Sequence, residues 1–269
     1  MNINFSNAVC YLTFKELEKF DFLKHSFSTR LGGVSKNEFK SMNFSFSNSD
    51  LKENVIENYK IFCEATKIDY NRLILPNQNH TNNIKIVTEK NLKPEFWNDK
   101  ENQDIDGFVT NEKNINLVTF HADCLPVYFL DPTKKIIGLV HSGWRGTVKK
   151  ISKNMINILT NKFDSKVQDI ICCIGPGIKK CCYEMDISMI TKFEKINLDI
   201  NKFIEFSDFK NKIYLDLDTL SKLILINCGI LEKNIFISDL CTKCNSGLLF
   251  SHRATKGKKG NMVASMTLI

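Results

Sequence analysis

Short apolar runs bounded by polar turns dominate the hydrophobic pattern of this chain. Two of them, Val127–Leu130 and Ile136–Val140, are separated by a turn at Asp131-Pro132. This spacing predicts two antiparallel strands joined as a hairpin. Cys124 lies just before the first run and His141 directly after the second. Because a hairpin returns the chain to its starting end, we expect the thiol and the imidazole to share one end of a sheet.

Further apolar runs of strand length are spread over the whole chain. They occupy residues 22–28, 71–75, 84–87, 108–110, 115–120, 169–174, 203–206, 212–215, 234–238, 248–251 and 262–268. Other segments are predicted to be helices, mainly from apolar residues that recur every three or four positions. These are a helix opened by an Asp50–Glu53 capping box, one at 146–163, one ending near Ile196, and one from Asp216 or Asp218 to Cys228.

Strands outnumber helices, and they neither alternate strictly with helices nor follow an all-β pattern. This order predicts the α+β class, with mixed β-sheets flanked by helices. No repeat, linker or low-complexity region divides the chain, so we expect residues 1–269 to form a single domain. The charged, irregular segment Leu92–Gln103 is predicted to be an excursion over the surface.

Composition indicates the size of the core and the cellular compartment. The chain has 269 residues, 43% hydrophobic and 25% charged, which is enough for a substantial core. It has no apolar run of about 18 residues, so we expect no transmembrane helix and no membrane partner. The N-terminus lacks the basic and apolar regions of a signal peptide, which indicates a cytoplasmic protein. The ten cysteines are then expected to be buried small groups, metal ligands or a nucleophile.

The net charge of +7 leaves a second class of function open. The charge comes from a lysine-rich surface, with KGKK at 256–259 as a local basic cluster. A non-catalytic scaffold, binding nucleic acid or stabilised by zinc, would explain the charge, and nucleic-acid binding would weaken steeply with salt. Aromatic residues do not interleave with the basic ones, so we favour an enzyme with no nucleic-acid partner.

A polar loop supplies a third chemically active residue. His80 lies within Gln78–Asn82, where a histidine has no packing role. With Cys124 and His141 it makes a three-ligand zinc set whose fourth position is open. Zinc there would activate water, or polarise a carbonyl or a leaving group. Without a metal, the same cysteine and histidine could act as thiolate and base, and spacing alone does not decide between the two.

The loops beside the hairpin carry weaker signals. Gly143–Gly146 leads into a predicted helix, and its Arg145 guanidinium and backbone N–H groups predict an anion pocket. Asp104 and Asp106 could be paired carboxylates, but a turn before a strand explains them better.

The remaining cysteines give only a partial motif. Cys241–Cys244 is a C-x-x-C pair, which could be half of a structural zinc site or a redox motif. No second C-x-x-C stands at ribbon spacing. Adjacent pairs, at Cys172-Cys173 and Cys181-Cys182, generally cannot direct all their thiols to one metal. The sequence therefore favours no second metal site.

A series of longer motifs resembles a known family. In order, they are HSFSTRLGGVS (25–35), SMNFS (41–45), QNH (78–80), DGFVT (106–110), HADCLPV (121–127), HSGWRGT (141–147), IGPGIKKCCYE (174–184) and CT…FSHR (241–253). Together they resemble the YfiH-like, laccase-domain family of multicopper polyphenol oxidases, which includes bacterial purine nucleoside phosphorylases. The resemblance covers about residues 22–269.

The resemblance implies a fold, a metal and an activity. It implies an α+β domain like the catalytic fold of cytotoxic necrotising factor. It also implies zinc bound by His80, Cys124 and His141, with copper as an alternative in vitro. Family members phosphorolyse adenosine, guanosine, inosine and methylthioadenosine and deaminate adenosine, so the implied partners are a purine nucleoside and phosphate. We expect a monomer or small homo-oligomer.

Two other enzyme classes are weighed beside this one. A metal-free Cys–His hydrolase or deamidase would use the thiol directly as a nucleophile. A copper-dependent phenol oxidase would match the older laccase label. The sequence lacks the repeated His-x-His clusters that several coppers would need, so we discount the oxidase.

Roles for single residues follow from the resemblance and from side-chain chemistry. We expect Cys124, His141 and Asp123 to act in catalysis, with an acidic residue such as Asp123 shuttling protons. Arg30 and Arg145 are predicted to bind phosphate or ribose, because a guanidinium fork matches phosphate oxygens.

Polar contacts to the nucleoside are assigned more broadly. Asn43, Gln78 and Asp123 are predicted to read ribose hydroxyls or the purine edge. The chain departs from the family pattern at Thr81, where glycine is usual, at His252, where tyrosine is usual, and at Asn261, where arginine is usual. A lost arginine would alter phosphate or ribose contacts.

Overall fold

Two six-stranded β-sheets form the centre of the computed structural model, which describes residues 1–98, 100–194, 196–207 and 211–269. The first sheet contains, in spatial order, β1 (Asn2–Ser6), β2 (Val9–Thr13), β3 (Leu23–Ser28), β15 (Met262–Leu268), β7 (Asn116–His121) and β4 (Leu73–Ile74). The second contains β14 (Ile235–Ile237), β10 (Ile171–Ile174), β8 (Leu125–Asp131), β9 (Ile136–Ser142), β6 (Gly107–Thr110) and β5 (Ile84–Ile86). A smaller third sheet contains β11 (Glu184–Asp186), β13 (Lys212–Leu215) and β12 (Ile204–Phe206).

Both large sheets are mixed. The pairs β4–β7, β5–β6 and β10–β14 run parallel, whereas the pairs around β8, β9 and β15 in the sheet interiors are antiparallel. The helices are α1 (Lys52–Thr66), α2 (Trp144–Val148), α3 (Ile151–Phe163), α4 (Ile190–Glu194), α5 (Leu217–Asn227) and α6 (His252–Thr255). This is the predicted α+β arrangement of mixed sheets with flanking helices.

The core has layers because the central strands are buried on both faces. Along β8, Val127 and Phe129 pack with α3, α5 and the third sheet, whereas Tyr128 and Leu130 point into the core between the two large sheets. A third cluster fills the space between the first sheet and α1. Strands covered on both faces need continuous apolar sequence, which explains the uninterrupted run in β8.

Two predicted helices differ from the sequence-based boundaries. Leu51 is extended, so α1 begins one residue later and the Asp50–Glu53 capping box does not form. Asp50 instead accepts a hydrogen bond from the Leu51 N–H at 2.9 Å. The predicted helix over 146–163 is broken at Lys150, which has the left-handed φ of 62°, so α2 and α3 are separate.

Three other predictions differ as well. Residues 248–251 form no strand, because the Ser251 hydroxyl accepts the Ala254 N–H at 3.1 Å and caps α6. The segment Leu92–Gln103, apart from Asp99 outside the described residues, is no mere surface excursion, since Phe96 is buried against Tyr59. For the helix predicted to end near Ile196, the structure describes α4 (Ile190–Glu194), and residue 195 lies outside the described residues.

Other elements match their predictions. Asp216 caps α5 by accepting the Thr219 N–H at 2.9 Å, and Gly229 follows its last turn with φ 96°. The third sheet contains the predicted strand pair, with residues 208–210 of its connection outside the described residues. The N-terminal strands β1 and β2 were not predicted.

Within the described residues, every helix is too short or too polar to cross a lipid bilayer.

Candidate active site

The β8–β9 register decides which side chains meet at one end of the second sheet. Leu125 pairs with Ser142, and Pro126 pairs with His141. Cys124, which directly precedes β8, therefore lies next to His141 at the end of the hairpin. This is the juxtaposition predicted from the apolar pattern; β8 is longer than predicted at both ends, and β9 is longer at its C-terminal end.

His80 joins this pair from a different part of the fold. It lies between β4 of the first sheet and β5 of the second, in a left-handed conformation with φ 53°. The ligating atoms of His80, Cys124 and His141 all lie within 4.8 Å of one another. Two imidazoles and one thiol on three sides of a point match a zinc site with an open fourth position. The three residues present therefore fit zinc.

Asp106 orients this group from behind. Its Oδ1 lies 2.8 Å from His141 Nδ1, and its Oδ2 accepts hydrogen bonds from the backbone N–H and the hydroxyl of Thr81, both at 2.7 Å. The backbone N–H of His141 also donates to the backbone carbonyl oxygen of Asp106 at 2.7 Å. With Nδ1 held by a carboxylate, His141 presents Nε2 to Cys124 and His80. The side chain and backbone of Thr81 thus hold the carboxylate in position.

Gly143 leaves the space that the three ligands occupy. A Cβ atom at this position would lie 2.7 Å from Cys124 Sγ and 3.1 Å from His80 Nδ1. The contact with the sulfur is shorter than packed atoms allow and the contact with the imidazole is tight, so the thiol can take this position because residue 143 has no side chain.

Electrostatics favour a charged thiol–imidazole pair in the metal-free protein. Burial would raise the pKa of Cys124, but the charge of His141 and hydrogen bonds from His141 and His80 lower it to about 6. Burial would lower the pKa of His141, but the Cys124 thiolate and Asp106 raise it to about 9. Burial opposes ionisation of Asp106 too, and the hydrogen bond and charge of His141 hold its pKa at about 2. The thiol is thus prepared as a thiolate, the form that binds metals and attacks electrophiles.

The three residues line one side of a cavity of about 640 Å³. Such a volume is within the usual range for a small-molecule site. Phe46, Phe96 and Trp97 pack together as an aromatic wall, whereas the rings of Trp144 and Tyr183 lie against Arg145 and Arg253 in a cationic wall. The aromatic residues are Phe46, Phe96, Trp97, Phe120, Trp144 and Tyr183. The cationic residues are Arg145, Arg253 and Lys259.

The cationic side chains are held in place. The Arg145 guanidinium lies 4.5 Å from the Trp144 ring centroid, and that of Arg253 lies 5.4 Å from the Tyr183 ring. Arg253 also donates to the Glu184 carbonyl oxygen at 2.8 Å. Burial lowers the pKa of Lys259, whereas the charges of Asp123 and Cys124 oppose that shift. Charge is therefore concentrated on the wall beside Cys124.

The predicted site residues divide into two groups. Gln78 and Arg145 line the cavity. The Gln78 side chain is already bonded to the backbone of Phe120: its Oε1 accepts the N–H at 2.5 Å, and its Nε2 donates to the carbonyl oxygen at 3.0 Å. Arg30 and Asn43 do not line it. Arg30 donates to the carbonyl oxygens of residues 40 and 246, and Asn43 joins the backbone at residues 45 and 261. In this structure, both residues fix loops rather than face the cavity.

Asp123 lies at the cavity wall, but its carboxylate is already engaged. Its Oδ1 accepts the Thr242 hydroxyl at 2.6 Å, and its Oδ2 accepts the Arg253 N–H at 2.7 Å. Asp123 also has a left-handed φ of 97°. These bonds direct the carboxylate towards the 241–253 segment, so the geometry favours a positioning role over proton transfer.

Sequence reasoning missed several residues at the site. Asp106 was explained as part of a turn, yet it is the partner of His141. The signal that could have identified it is the β6–β9 pairing of Gly107 with Val140, which places residue 106 beside His141. Trp97, Arg253 and Lys259 were missed because they belong to segments without apolar periodicity.

Comparisons over most of the chain identify its family. A family model described as multi-copper polyphenol oxidoreductase laccase matches residues 24–269. The chain belongs to this family. It is 33% identical over 239 residues to purine nucleoside phosphorylase YlmD of Bacillus subtilis, covering 88% of this chain and 86% of that protein. It is 34% identical over 267 residues to purine nucleoside phosphorylase SERP0752 of Staphylococcus epidermidis, covering 98% of each.

Structural comparison extends the likeness to the fold of the whole chain. The crystal structure of the hypothetical protein YfiH from Bacillus licheniformis superposes with a TM-score of 0.90 at 30% identity. The superposition covers 98% of this chain and 97% of that one. The predicted family and the predicted fold class are therefore both confirmed.

A second cluster of donor atoms lies outside the cavity. The sulfur atoms of Cys181, Cys182, Cys241 and Cys244 are all within 4.8 Å of one another. The expectation that adjacent cysteines cannot face one point is wrong for Cys181 and Cys182, because a tight 3₁₀ turn over Lys180–Cys182 directs both thiols to the same side.

Gly143→Ala should disrupt the ligand cluster, because the new methyl group would overlap the Cys124 thiol. We expect zinc affinity to fall by about 10- to 100-fold, as for other changes that displace metal ligands. Competition with a chromogenic chelator would measure it. Gly247→Ala is the control, since a Cβ there meets no atom within 4 Å. Equal affinity in both variants would contradict the proposed crowding.

The thiolate prediction concerns protein stripped of metal by a chelator. Because the pKa of Cys124 is lowered to about 6, its alkylation by iodoacetamide should stay fast at neutral pH and slow as pH falls through about 6. Peptide mass spectrometry would follow each cysteine separately. Cys228, whose pKa burial raises, should react only at higher pH. In Asp106→Asn the Cys124 midpoint should move upwards, because His141 loses the carboxylate that favours its charge. A Cys124 midpoint near that of Cys228 would contradict the thiolate–imidazolium pair.

Proposed function

We propose that this protein is a zinc-dependent purine nucleoside phosphorylase that also deaminates adenosine and acts in the cytoplasm. One observation carries the proposal: the His80, Cys124 and His141 cluster opens into a cavity with an aromatic wall and a cationic wall. A nucleoside needs the first surface for its base, and phosphate needs the second. The names of the bacterial relatives agree with this division.

Zinc would be held by His80, Cys124 and His141, with Asp106 fixing the orientation of His141. When bound there, the metal would act as a Lewis acid towards the purine or towards water. The protein's own contribution is to hold the thiol ionised, to keep the fourth position facing the cavity, and to shield the group from bulk water. The family description refers to copper, but the described residues contain one histidine-bearing donor group, too few for several coppers.

The cationic wall is suited to phosphate. Arg145 and Arg253 are each held by an aromatic ring, so their guanidinium planes are oriented before a ligand arrives. Lys259 reaches the side-chain oxygen of Asn261, the position where the family usually has arginine. We assign Lys259 as the cation that replaces the lost arginine. Cations held in place bind phosphate through charge-assisted hydrogen bonds.

Phosphorolysis then proceeds between the two walls. An oxygen of hydrogen phosphate forms a bond to C1′ of the ribose while the bond from C1′ to the purine nitrogen breaks. The electron pair of that bond leaves with the purine, which takes up the proton that the phosphate gives up. Arg145, Arg253 and Lys259 hold the attacking phosphate, and the aromatic wall holds the purine. Asp123 accepts the backbone N–H of Arg253 and so holds the cationic wall in place.

A second candidate rests on a different observation. Cys124, His141 and Asp106 place a thiol, an imidazole and a carboxylate in sequence. His141 Nδ1 lies 2.8 Å from Asp106 Oδ1. This order is the one used by cysteine hydrolases. A metal-free hydrolase or deamidase would remain active in chelator and be lost on thiol alkylation, whereas the zinc enzyme would be inactivated by both.

The proposed reaction is tested with purified protein, adenosine or inosine, and chromatography of the free base. We expect adenine or hypoxanthine to appear only when phosphate is present, and inosine to form from adenosine in its absence. Cys124→Ala should abolish turnover and lower zinc content together, whereas Cys228→Ala should change neither. No base release and no inosine from the zinc-loaded protein would refute both activities. Zinc retained by Cys124→Ala with activity lost would favour the nucleophile.

Charge removal on the cationic wall should act on phosphate selectively. Hydrogen bonds to charged groups contribute about 1.5–3 kcal/mol, so Arg145→Gln or Lys259→Gln should raise the KM for phosphate by about 10- to 100-fold. The KM for inosine should change much less. Lys258→Gln is the matched control, because Lys258 is exposed and outside the cavity. A rise in the KM for inosine alone would assign these cations to the nucleoside instead.

A further inference from the structure

Four cysteines from two separate segments converge on one side of the fold. Cys181 and Cys182 belong to the 3₁₀ turn that precedes β11, and Cys241 and Cys244 belong to the turn that follows β14. Their sulfur atoms lie within 4.8 Å of one another, with Cys244 Sγ 3.7 Å from Cys181 Sγ and 3.4 Å from Cys182 Sγ. None of the four lines the cavity.

These distances match a shared metal rather than a covalent bond. A disulfide requires about 2.05 Å between sulfur atoms, and both measured separations are far longer. In a tetrahedral site with zinc–sulfur bonds of about 2.3 Å, the sulfur atoms lie about 3.8 Å apart. The measured separations are close to that edge length. With all four sulfur atoms within 4.8 Å of one another, the cluster is compact enough for one tetrahedral ion.

The two segments are also joined by backbone contacts that place the thiols. Gly177 forms a bridge with Cys241, and the Thr242 N–H donates to the Gly177 carbonyl oxygen at 3.0 Å. Thr242 and Tyr183, which are next to cysteines of the cluster in sequence, connect it to the cavity. Thr242 donates to Asp123 at 2.6 Å, and Tyr183 lies on the cavity wall beneath Arg253. A cross-link here would hold two parts of that wall together.

We propose that Cys181, Cys182, Cys241 and Cys244 bind a structural zinc ion, separate from the His80, Cys124 and His141 group. Four protein thiolates close the coordination sphere and leave no position for water or substrate, which is the arrangement of structural zinc sites. The ion joins the 180–184 segment to the 241–253 segment. Cys181 and Cys244 are exposed, so the ion has a path from solvent.

Metal content of the full-length protein, expressed with zinc and purified without chelator, tests the proposal. The wild-type chain should contain about two equivalents of zinc, and Cys244→Ser about one. Cys228→Ser is the matched control, since Cys228 is a half-buried cysteine outside both groups. Cys244→Ser with unchanged zinc content would overturn the proposal.

His141→Ala separates this proposal from the proposed function. If both zinc sites exist, His141→Ala should contain about one equivalent and the double variant with Cys244→Ser close to none. If the cavity holds no zinc, the wild type should contain about one equivalent, lost in Cys244→Ser and kept in His141→Ala. Zinc that is lost in His141→Ala and kept in Cys244→Ser would support the cavity site and refute the four-cysteine site.

A second measurement covers the case in which Cys244→Ser does not fold. His141→Ala loaded with one equivalent of cobalt should show thiolate-to-metal charge transfer with the intensity of four thiolates at one ion. Zinc should also protect Cys181 and Cys244 from alkylation, as seen by peptide mass spectrometry. A mass lower by two hydrogen atoms across the peptides of 181–182 and 241–244 would show a disulfide and overturn the proposal.

Discussion

The buried carboxylate of Asp106 is the constraint on which the site depends. It is completely shielded from solvent, yet it is ionised, because His141, Thr81 and the Asn79 N–H all donate to it. A carboxylate in such a place is costly unless every oxygen is bonded. Asp106 therefore ties the loop that carries His80 to the strand that carries His141. Without it, no carboxylate would hold the two imidazoles in a fixed position relative to each other.

A second aspartate performs the equivalent task on the other side of Cys124. Asp123 binds Thr242 and the Arg253 N–H, and so connects the thiol-bearing turn to the C-terminal part of the cavity wall. The cysteine thus lies between two anchored carboxylates. One faces the ligand group, and the other faces the cationic wall. This arrangement keeps the ligands and the cations of the cavity in a fixed relation.

Sequence reasoning succeeded where the determining interactions are local. The hairpin follows from two apolar runs and a turn, and His80 stands out because no packing explains a histidine in a polar loop. It failed where the determining contact is distant. The role of Asp106 depends on the β6–β9 register, and the four-cysteine cluster depends on two segments that meet only in the folded chain. The break at Lys150 has no sequence signal, because lysine rarely adopts a left-handed conformation.

The position of β15 has a consequence for the order in which the site can form. This strand is the last in chain order, yet it lies in the interior of the first sheet, between β3 and β7. During synthesis the sheet remains in two halves, with the edges of β3 and β7 unpaired, until β15 has left the ribosome. Lys259 and Asn261 immediately precede that strand. The first sheet and the part of the cavity wall that carries Lys259 are therefore completed last, after the strands that carry Cys124 and His141 have been made.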